Sequence, residues 1–527
     1  MLRVMPPPTP TTDANPYDEV PYLGHAYNFT HPDRLSVVGA LFGMQPAPVE
    51  KCRVLELGCG DGANLLPMAY TLPESDFFGI DLAAKPIDQG NAAAAELGVT
   101  NLRLQAMDIM DFPADAGEFD YIVTHGIFSW VPDFVREKIL AICAAHLAPQ
   151  GIAYISYKTY PGSTTSGTIH EMMRYQAHRR PGLSEEQIVH AGLDMVRTVV
   201  NCRPELDAYR GHLKWRLDAV DERMAAYGGY TWIYHDLGVE ISDPFYFYQV
   251  MERAGRHGLQ FLSEPGLEFP HAAYTPETVA ALEALGDDIV AREQYSDFLE
   301  NREFRRSLIC RAGIALDRSF DVKRVHALYA SSPIQPLTPE TPSDDPRAKE
   351  QFAAPGGMKV TVDQPAVKAA FRHLGQIWPA SATFDELLAS SGAGDKTTRS
   401  DDAEHLATAL LALFRRDLIT LSTSLPRQAA TVSKRPVASA RMRQQIGVDR
   451  PILTNLRHAE MEVQDGAVRK LLTLLDGTRD REALRQELGD WLDRARTVAP
   501  TLPAREWVDE NLDTVLTGFA RQHFLVA

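Results

Sequence analysis

The stretch VLELGCGDG at residues 54–62 joins a short apolar run to three closely spaced glycines. The apolar run is typical of a buried strand, and glycines let the backbone turn sharply and approach a ligand closely. Their spacing is G-x-G-x-G, which departs from the G-x-G-x-x-G pattern of dinucleotide-binding folds. Glu56 precedes the glycines, and a carboxylate there disfavours a pyrophosphate but suits a ligand that carries a cationic amino acid. The stretch therefore predicts a strand, a tight turn and the start of a ligand-binding helix.

Three further signals follow the glycine turn, each at the end of an apolar run. FFGID ends in Asp81, MDI carries Asp108 and THG carries His125. The carboxyl ends of parallel strands meet at one edge of a sheet, which is where open α/β sheets bind ligands. A carboxylate after the second strand can accept hydrogen bonds from ribose hydroxyls, and Asp108 can reach an adenine amino group. The four signals in order predict a nucleoside-binding edge.

The surrounding chain, residues 53–158, alternates strand-like and helix-like segments. Such alternation predicts a doubly wound α/β fold, with a parallel sheet covered by helices on both faces. Residues 259–262, and residues 304–311 with the segment SLIC at 307–310 as their centre, predict two late strands that complete this sheet. Residues 163–228 are then a helical insertion, which is a candidate lid or dimerisation element. A plain structural extension is the alternative interpretation.

Composition limits the classes of partner. Lysine and arginine total 53 against 70 acidic residues, so the formal net charge is −17. Nucleic-acid partners need a positive footprint, so we expect none. The longest apolar runs are too short for a stable membrane insertion. Five cysteines without C-x-x-C spacing, and an H-E pair without the second histidine of a metalloprotease motif, predict no metal site and a cytoplasmic, reducing environment.

The C-terminal half repeats a pattern of three helices followed by a strand, which is typical of winged-helix-like α+β modules. Its acidic first module lacks a basic recognition helix, so a protein-interaction or substrate-presenting role is favoured over DNA binding. The predicted division is a flexible tail at 1–16, a ligand-binding domain at 17–162 and 229–317, the insertion at 163–228, a linker at 318–364, a middle domain at 365–425, a loop at 426–450 and a C-terminal domain at 451–527.

Several longer motifs carry a family resemblance. They are YDEVPY at 17–22, THPDRL at 30–35, HGIFSWVP at 125–132, SYKTYPG at 156–162, YHDL at 234–237 and PFYF at 244–247. With the glycine loop, they resemble the class I S-adenosylmethionine-dependent methyltransferases, which have a Rossmann-like fold. The resemblance is to the bacterial subgroup with a methyltransferase regulatory domain, which includes rickettsial protein-lysine methyltransferases of outer-membrane proteins. It covers about residues 15–315.

The resemblance implies roles for named positions. It implies contacts of Glu56, Gly58 and Gly60 with the methionine part of the cofactor, of Asp81 with the ribose, and of Asp108 and Ile109 with the adenine. It places His125 near the transferable methyl group. The full set of implied cofactor-binding residues is Tyr22, His31, Glu56, Gly58, Cys59, Gly60, Asp81, Leu82, Asp108, Ile109 and His125, and the implied catalytic residues are His125, Tyr157 and Tyr160.

The function that the resemblance implies is transfer of a methyl group from S-adenosyl-L-methionine to the side-chain nitrogen of a protein lysine. The implied partners are a protein substrate, held in a wide cavity of the middle and C-terminal domains, and a second copy bound through 163–228. Lys158 stands where the family often has Asn, which leaves the identity of the methyl acceptor undecided. Two alternatives remain: a small-molecule methyltransferase of a biosynthetic pathway, and a non-catalytic, cofactor-binding regulatory protein.

Overall fold

Seven strands form the central sheet of the computed structural model, which describes residues 24–526 apart from 228, 268–273, 320, 338–347, 393–395, 426–428 and 430. They are β1 (Arg53–Leu57), β2 (Asp76–Asp81), β3 (Leu102–Ala106), β4 (Phe119–Thr124), β5 (Leu147–Lys158), β6 (Leu259–Ser263) and β7 (Phe304–Arg311). Their spatial order is β3-β2-β1-β4-β5-β7-β6. The first five strands pair in parallel, whereas β7 runs antiparallel to both neighbours. The predicted doubly wound α/β class, including its two late strands, is confirmed.

Some helices of this part of the chain cover the two faces of the sheet, and others form a separate subdomain. They are α1 (Pro32–Leu41), α2 (Leu65–Thr71), α3 (Ala84–Glu96), α4 (Asp133–His146), α5 (Thr164–Arg179), α6 (Glu185–Val200), α7 (Ala208–Tyr227), α8 (Phe247–Arg256), α9 (Pro276–Glu283) and α10 (Ile289–Glu300). Successive strand residues point to opposite faces. Val54 and Tyr121 accordingly pack in the core shared with α1 and α2, and Leu55 and Ile122 in the core shared with α4 and α8.

The segment predicted as a helical insertion forms α5, α6 and α7. These helices enclose an apolar core of their own, which includes Ile169, Met173, Leu193 and Leu217. The helix period puts such residues on one side of each helix, where they can meet. The segment is therefore a helical subdomain that follows β5 directly.

The middle domain begins earlier than predicted. Its elements are β8 (Tyr329–Ser331), β9 (Gln335–Pro336), β10 (Glu350–Ala353), β11 (Lys359–Val362), α11 (Pro365–Ile377), β12 (Ala382–Thr383), α12 (Phe384–Ala389), α13 (Lys396–Phe414) and β13 (Thr420–Ser422). The segment 318–364, predicted as a linker, supplies four of these strands. Ile334 and Phe352 within it are fully buried. Their burial in the middle domain's core explains why this Pro- and Gly-rich segment folds.

The C-terminal domain likewise begins before residue 451. It contains α14 (Ala440–Gly447), β14 (Ile452–Thr454), β15 (Glu460–Glu462), α15 (Gly466–Leu474), α16 (Arg481–Ala495) and α17 (Glu506–Arg521). The segment 426–450, predicted as a loop, includes α14, because Met442 is fully buried in the leucine-rich core of this domain. In the described part of the chain, no helix combines the length and apolar character that crossing a membrane requires.

Candidate active site at the carboxyl edge of the sheet

The glycine loop that follows β1 has backbone dihedral angles that residues with a side chain rarely adopt. Gly58, Gly60 and Gly62 have φ angles of 77°, 54° and 69°. A Cβ at Gly58 would lie 2.3 Å from Cδ1 of Ile127, so the loop packs tightly against the residues that follow β4. A Cβ at Gly60, by contrast, would meet no described atom within 4 Å. The space beside the Gly58 Cα is therefore filled by Ile127, whereas the space beside the Gly60 Cα is open to a ligand.

Asp81 at the end of β2 fixes the glycine loop. One carboxylate oxygen accepts a hydrogen bond from the Gly60 backbone N–H at 2.9 Å, and the other accepts from the Ala83 N–H at 2.9 Å. Leu82 beside it is 62% exposed, so its side chain is accessible at the edge of the sheet. Asp81 thus holds the backbone that faces the predicted ligand.

Glu56 is a buried carboxylate with one unpaired oxygen. Its side chain is 3% exposed, and Oε1 accepts a hydrogen bond from Asn64 Nδ2 at 2.9 Å. Oε2 is buried and has no hydrogen-bond partner among the described residues. Burial, with Asp81 and Asp61 nearby and against the Asn64 hydrogen bond, raises the pKa of Glu56 to about 8. A buried carboxylate with one unpaired oxygen is stabilised by a cationic partner.

Asp108 and Ile109 follow β3, on the same edge of the sheet. Asp108 is exposed, and its Oδ1 accepts a hydrogen bond from the Met110 N–H at 2.8 Å. This bond caps a short 3₁₀-helix that begins at Ile109. Ile109 is half-buried against the core shared with α4. The acidic side chain is therefore fixed at the edge, with an apolar side chain next to it.

His125 at the end of β4 lies in an aromatic cluster. Its Nδ1 is 2.9 Å from the hydroxyl oxygen of Tyr154, and its ring centroid is 3.9 Å from that of Tyr27. Phe29 and Phe304 lie 5.7 Å and 6.2 Å away by the same measure. Burial lowers the pKa of His125 to about 3, with Arg306 and His25 acting in the same direction. The imidazole is therefore neutral at physiological pH.

Tyr157 and Tyr160, the two tyrosines implied to be catalytic, lie apart from the aromatic cluster around His125. Tyr157 is fully buried on the opposite face of β5, where its hydroxyl is 3.0 Å from Ser307 Oγ. Tyr154, three positions earlier, faces His125, because residues an odd number apart on a strand point to opposite faces. Tyr157, which the resemblance implies to be catalytic, therefore lies in the core on the face of β5 opposite His125. Tyr160 is half-buried and packs against Tyr246 with ring centroids 5.1 Å apart.

The N-terminal segment lies between this edge and a large cavity. His31 begins α1, with Nδ1 accepting a hydrogen bond from the Asp33 N–H at 3.2 Å. A cavity of about 580 Å³ lies beyond it, bounded by the N-terminal segment, the sheet domain, the middle domain and the C-terminal domain. Phe29 lines the cavity and also packs against His125. Tyr22 lies outside the described residues.

Comparison with known proteins identifies the family. Family models match for a methyltransferase domain at 54–151, a predicted methyltransferase regulatory domain at 231–311 and the C-terminal winged helix domain of PKMT proteins at 434–524. Protein RP028 of Rickettsia prowazekii is 34% identical over 246 residues, which is 47% of this chain and 96% of that protein. The chain belongs to the S-adenosylmethionine-dependent methyltransferases. It is an enzyme, and S-adenosylmethionine is its cofactor.

Other relatives match this methyltransferase over most of its length. Protein RP789 of Rickettsia prowazekii is 29% identical over 478 residues, covering 90% of this chain and 85% of that protein. The structure of PKMT2 from Rickettsia typhi has a TM-score of 0.83 at 25% identity, covering 96% of this chain and 100% of the other. The same protein in complex with AdoHcy has a TM-score of 0.81 at 24% identity. The similarity therefore includes the middle and C-terminal domains.

The glycine loop fits S-adenosylmethionine on two observations. The unpaired Oε2 of Glu56 suits the cationic amino group of the methionine part. The open space at Gly60 lets a ligand approach the backbone closely. The prediction from sequence omitted Asn64, which binds Glu56, and also Tyr27 and Tyr154, which contact His125. Only Asn64 carries a signal, since an amide at the start of the helix after such a loop can bind neighbouring side chains.

We expect cofactor affinity to depend on pH through Glu56. Only the ionised carboxylate attracts the cofactor's ammonium group, and the pKa of Glu56 is about 8. Affinity should therefore rise from about pH 6 to about pH 7.5, by up to about tenfold per pH unit, and binding should release up to one proton. Isothermal titration calorimetry in buffers of different ionisation enthalpy measures both effects.

Glu56→Gln should bind more weakly and lose this pH dependence. Glu74→Gln, a substitution of an exposed glutamate in the turn before β2, should keep the native profile. A native profile in Glu56→Gln, or no proton release on binding to the native protein, would contradict the prediction.

Proposed function

We propose that this methyltransferase methylates lysine side-chain nitrogens of a protein substrate. We further propose that Glu56, Gly58, Gly60, Asp81 and Asp108 hold the cofactor and that His125 lies beside the transferable methyl group. Cys59, Leu82 and Ile109 complete the proposed cofactor contacts. The observation that carries the choice of a protein acceptor is the full-length similarity to PKMT2, which spans 96% of this chain.

The cavity supports a macromolecular acceptor. It is about 580 Å³ and has walls from several domains, including His31, Trp378, Arg457 and His523. Because its walls come from several domains, a polypeptide segment has room to lie across the molecule. Phe29, which touches both the cavity wall and His125, marks the side from which a lysine would approach.

The chain's own groups define the chemistry at His125. When bound, S-adenosylmethionine supplies an electrophilic methyl group on a positively charged sulfur. A lysine has an unperturbed pKa of about 10.4 and must lose a proton before it can attack. The neutral imidazole of His125 does not repel a cation, and it can exchange a hydrogen bond with the amine. The aromatic rings of Tyr27 and Phe29 exclude water and favour the uncharged amine by desolvation.

Labelling distinguishes the proposed function from its alternatives. We expect incubation with methyl-labelled S-adenosylmethionine and a whole-cell extract to place label on lysine nitrogens of protein, as read by mass spectrometry. Label only in extractable metabolites would instead indicate a small-molecule methyltransferase. No label in either fraction, with the protein folded and cofactor bound, would indicate a regulatory protein.

His125→Ala is the matched variant for this assay. We expect it to bind the cofactor but to lower turnover by roughly 100-fold, the lower range for a positioned acid–base group. Tyr157→Phe, which removes a hydroxyl on the opposite face of β5, should leave cofactor binding intact. Full turnover in His125→Ala would remove His125 from the mechanism.

A further inference from the structure

A hairpin of the C-terminal domain reaches the cofactor loop. β14 and β15 pair antiparallel, and the turn between them carries His458, which is buried and has a φ of 58°. Its Nε2 lies 2.9 Å from Oδ1 of Asn64, a residue 394 positions earlier in the chain. Asn64 itself directly follows the glycine loop. The C-terminal domain therefore places a side chain within hydrogen-bond distance of the residue that holds Glu56.

The surrounding donors fix the direction of each hydrogen bond. The Tyr27 backbone N–H donates to Asn64 Oδ1 at 2.9 Å, so this atom is the amide oxygen and its partner Nδ2 is the donor. Because an amide oxygen only accepts, His458 Nε2 must carry the proton. Asn64 Nδ2 then donates to Glu56 Oε1 at 2.9 Å. One polar chain runs from His458 through Asn64 to Glu56 Oε1, and among the described residues it leaves Oε2 without a hydrogen-bond partner.

Two more residues of the same domain contact the same edge. Arg450, which precedes β14, forms an ion pair with Asp61 in the glycine loop and donates to the Gly24 carbonyl oxygen at 3.0 Å. Glu460 accepts a hydrogen bond from the Ala26 N–H at 2.8 Å. These contacts hold the glycine loop and the segment that carries Tyr27, which packs against His125. The hairpin thus fixes both sides of the site.

We propose that the C-terminal winged-helix domain completes the cofactor site and that His458 is its positioning residue. His458 holds the Asn64 amide, and the amide holds the Glu56 carboxylate in the orientation that meets the cofactor's cationic group. Without His458, Asn64 Oδ1 loses one donor and keeps those from Tyr27 and Thr30, so the amide is held less firmly in the orientation that meets Glu56. The proposal rests on the proposed role of Glu56 in holding the cofactor.

The test compares cofactor affinity in variants of the full-length protein. Removing a partner from a buried hydrogen-bonded group costs about 1–3 kcal/mol. His458→Ala should therefore weaken S-adenosylmethionine and S-adenosylhomocysteine binding by roughly 10-fold in isothermal titration calorimetry. His458→Gln places an amide N–H near the position of Nε2 and should restore affinity to within about threefold of native. In an Asn64→Ala background, His458→Ala should add little further loss.

A destabilised control separates positioning from folding. Leu488 is fully buried in the C-terminal core, in α16, away from Asn64. Leu488→Ala should lower the melting temperature but bind the cofactor with native affinity. Native affinity in His458→Ala, or equal loss in His458→Ala, His458→Gln and Leu488→Ala, would overturn the proposal. If Glu56→Gln alone binds normally, the proposed role of Glu56 fails. Loss in Glu56→Gln with native binding in His458→Ala overturns only the role of His458.

Discussion

Replacing Asp81 with alanine is expected to weaken S-adenosylmethionine binding by at least about 100-fold. Both carboxylate oxygens accept backbone hydrogen bonds, from Gly60 and from Ala83. The substitution leaves both donors unpaired at a cost of about 1–3 kcal/mol each, and it frees a loop that depends on positive φ angles. The proposed hydrogen bonds to the ribose are lost as well. Calorimetric titration with S-adenosylhomocysteine measures the change.

Asp76→Ala is the matched control for this effect. Asp76 is at the other end of the same strand, where its side chain is largely exposed and pairs with Arg53 at 3.4 Å. We expect Asp76→Ala to bind with native affinity, since surface ion pairs contribute little. The cofactor affinity of Asp81→Asn should lie between those of Asp81→Ala and Asp76→Ala, because the amide keeps one acceptor but points a donor at the other backbone N–H. Native affinity in Asp81→Ala would contradict the prediction.

Replacing Arg305 with methionine should have the largest effect on stability. Arg305 on β7 is fully buried, and its guanidinium donates to Asp297, Glu264 and Glu293 at distances from 2.7 to 3.1 Å. Removing it leaves three neighbouring carboxylates without their shared cation. Breaking a buried ion pair by removing one partner costs about 3–5 kcal/mol in the free energy of unfolding. A fall of roughly 10 °C in the melting temperature of the sheet domain should follow.

The pH dependence of this loss identifies its cause. Burial already raises the pKa of Asp297 to about 6, although Arg305 and Arg302 oppose the shift. Without Arg305, the folded-state pKa of Asp297 rises further above its unfolded value. The stability difference between native and variant protein should therefore shrink as pH falls toward about 6, because Asp297 takes up its proton at a higher pH in the variant than in the native protein. Arg256→Met, at an exposed ion pair with Glu137, should change little at any pH. A pH-independent loss would show that packing, not charge, is the cause.

Local patterns were enough to predict the sheet and the residues that lie at its carboxyl edge. The glycine loop, Asp81, Asp108 and His125 each sit at the end of an apolar run, and strands of a parallel sheet bring such ends together. The late strands β6 and β7 could be predicted because each contains a short apolar segment. Their antiparallel pairing with β5 adds them to the same sheet.

Features that depend on distant pairing could not be predicted. β8 has three residues, and its partners β12 and β13 lie about 50 and 90 positions later, so the segment around it looked like a linker. Tyr157 and Tyr154 have the same residue type, and only the register of β5 shows which one faces His125. The contact between His458 and Asn64 joins two separately folded domains, so neither local sequence carries a signal for it.

The turn between β14 and β15 contacts both the cavity and the residue that follows the glycine loop. Asn455, Arg457 and Ala459 line the cavity, whereas His458 points the other way, to Asn64. A polypeptide that moved this turn on entering the cavity would change the affinity for S-adenosylmethionine, and thermodynamic reciprocity requires the cofactor to change the polypeptide's affinity by the same factor. In a binding experiment, the order in which the cofactor and the polypeptide are added would then leave the final occupancy of both sites unchanged. It would alter the rate at which that occupancy is reached.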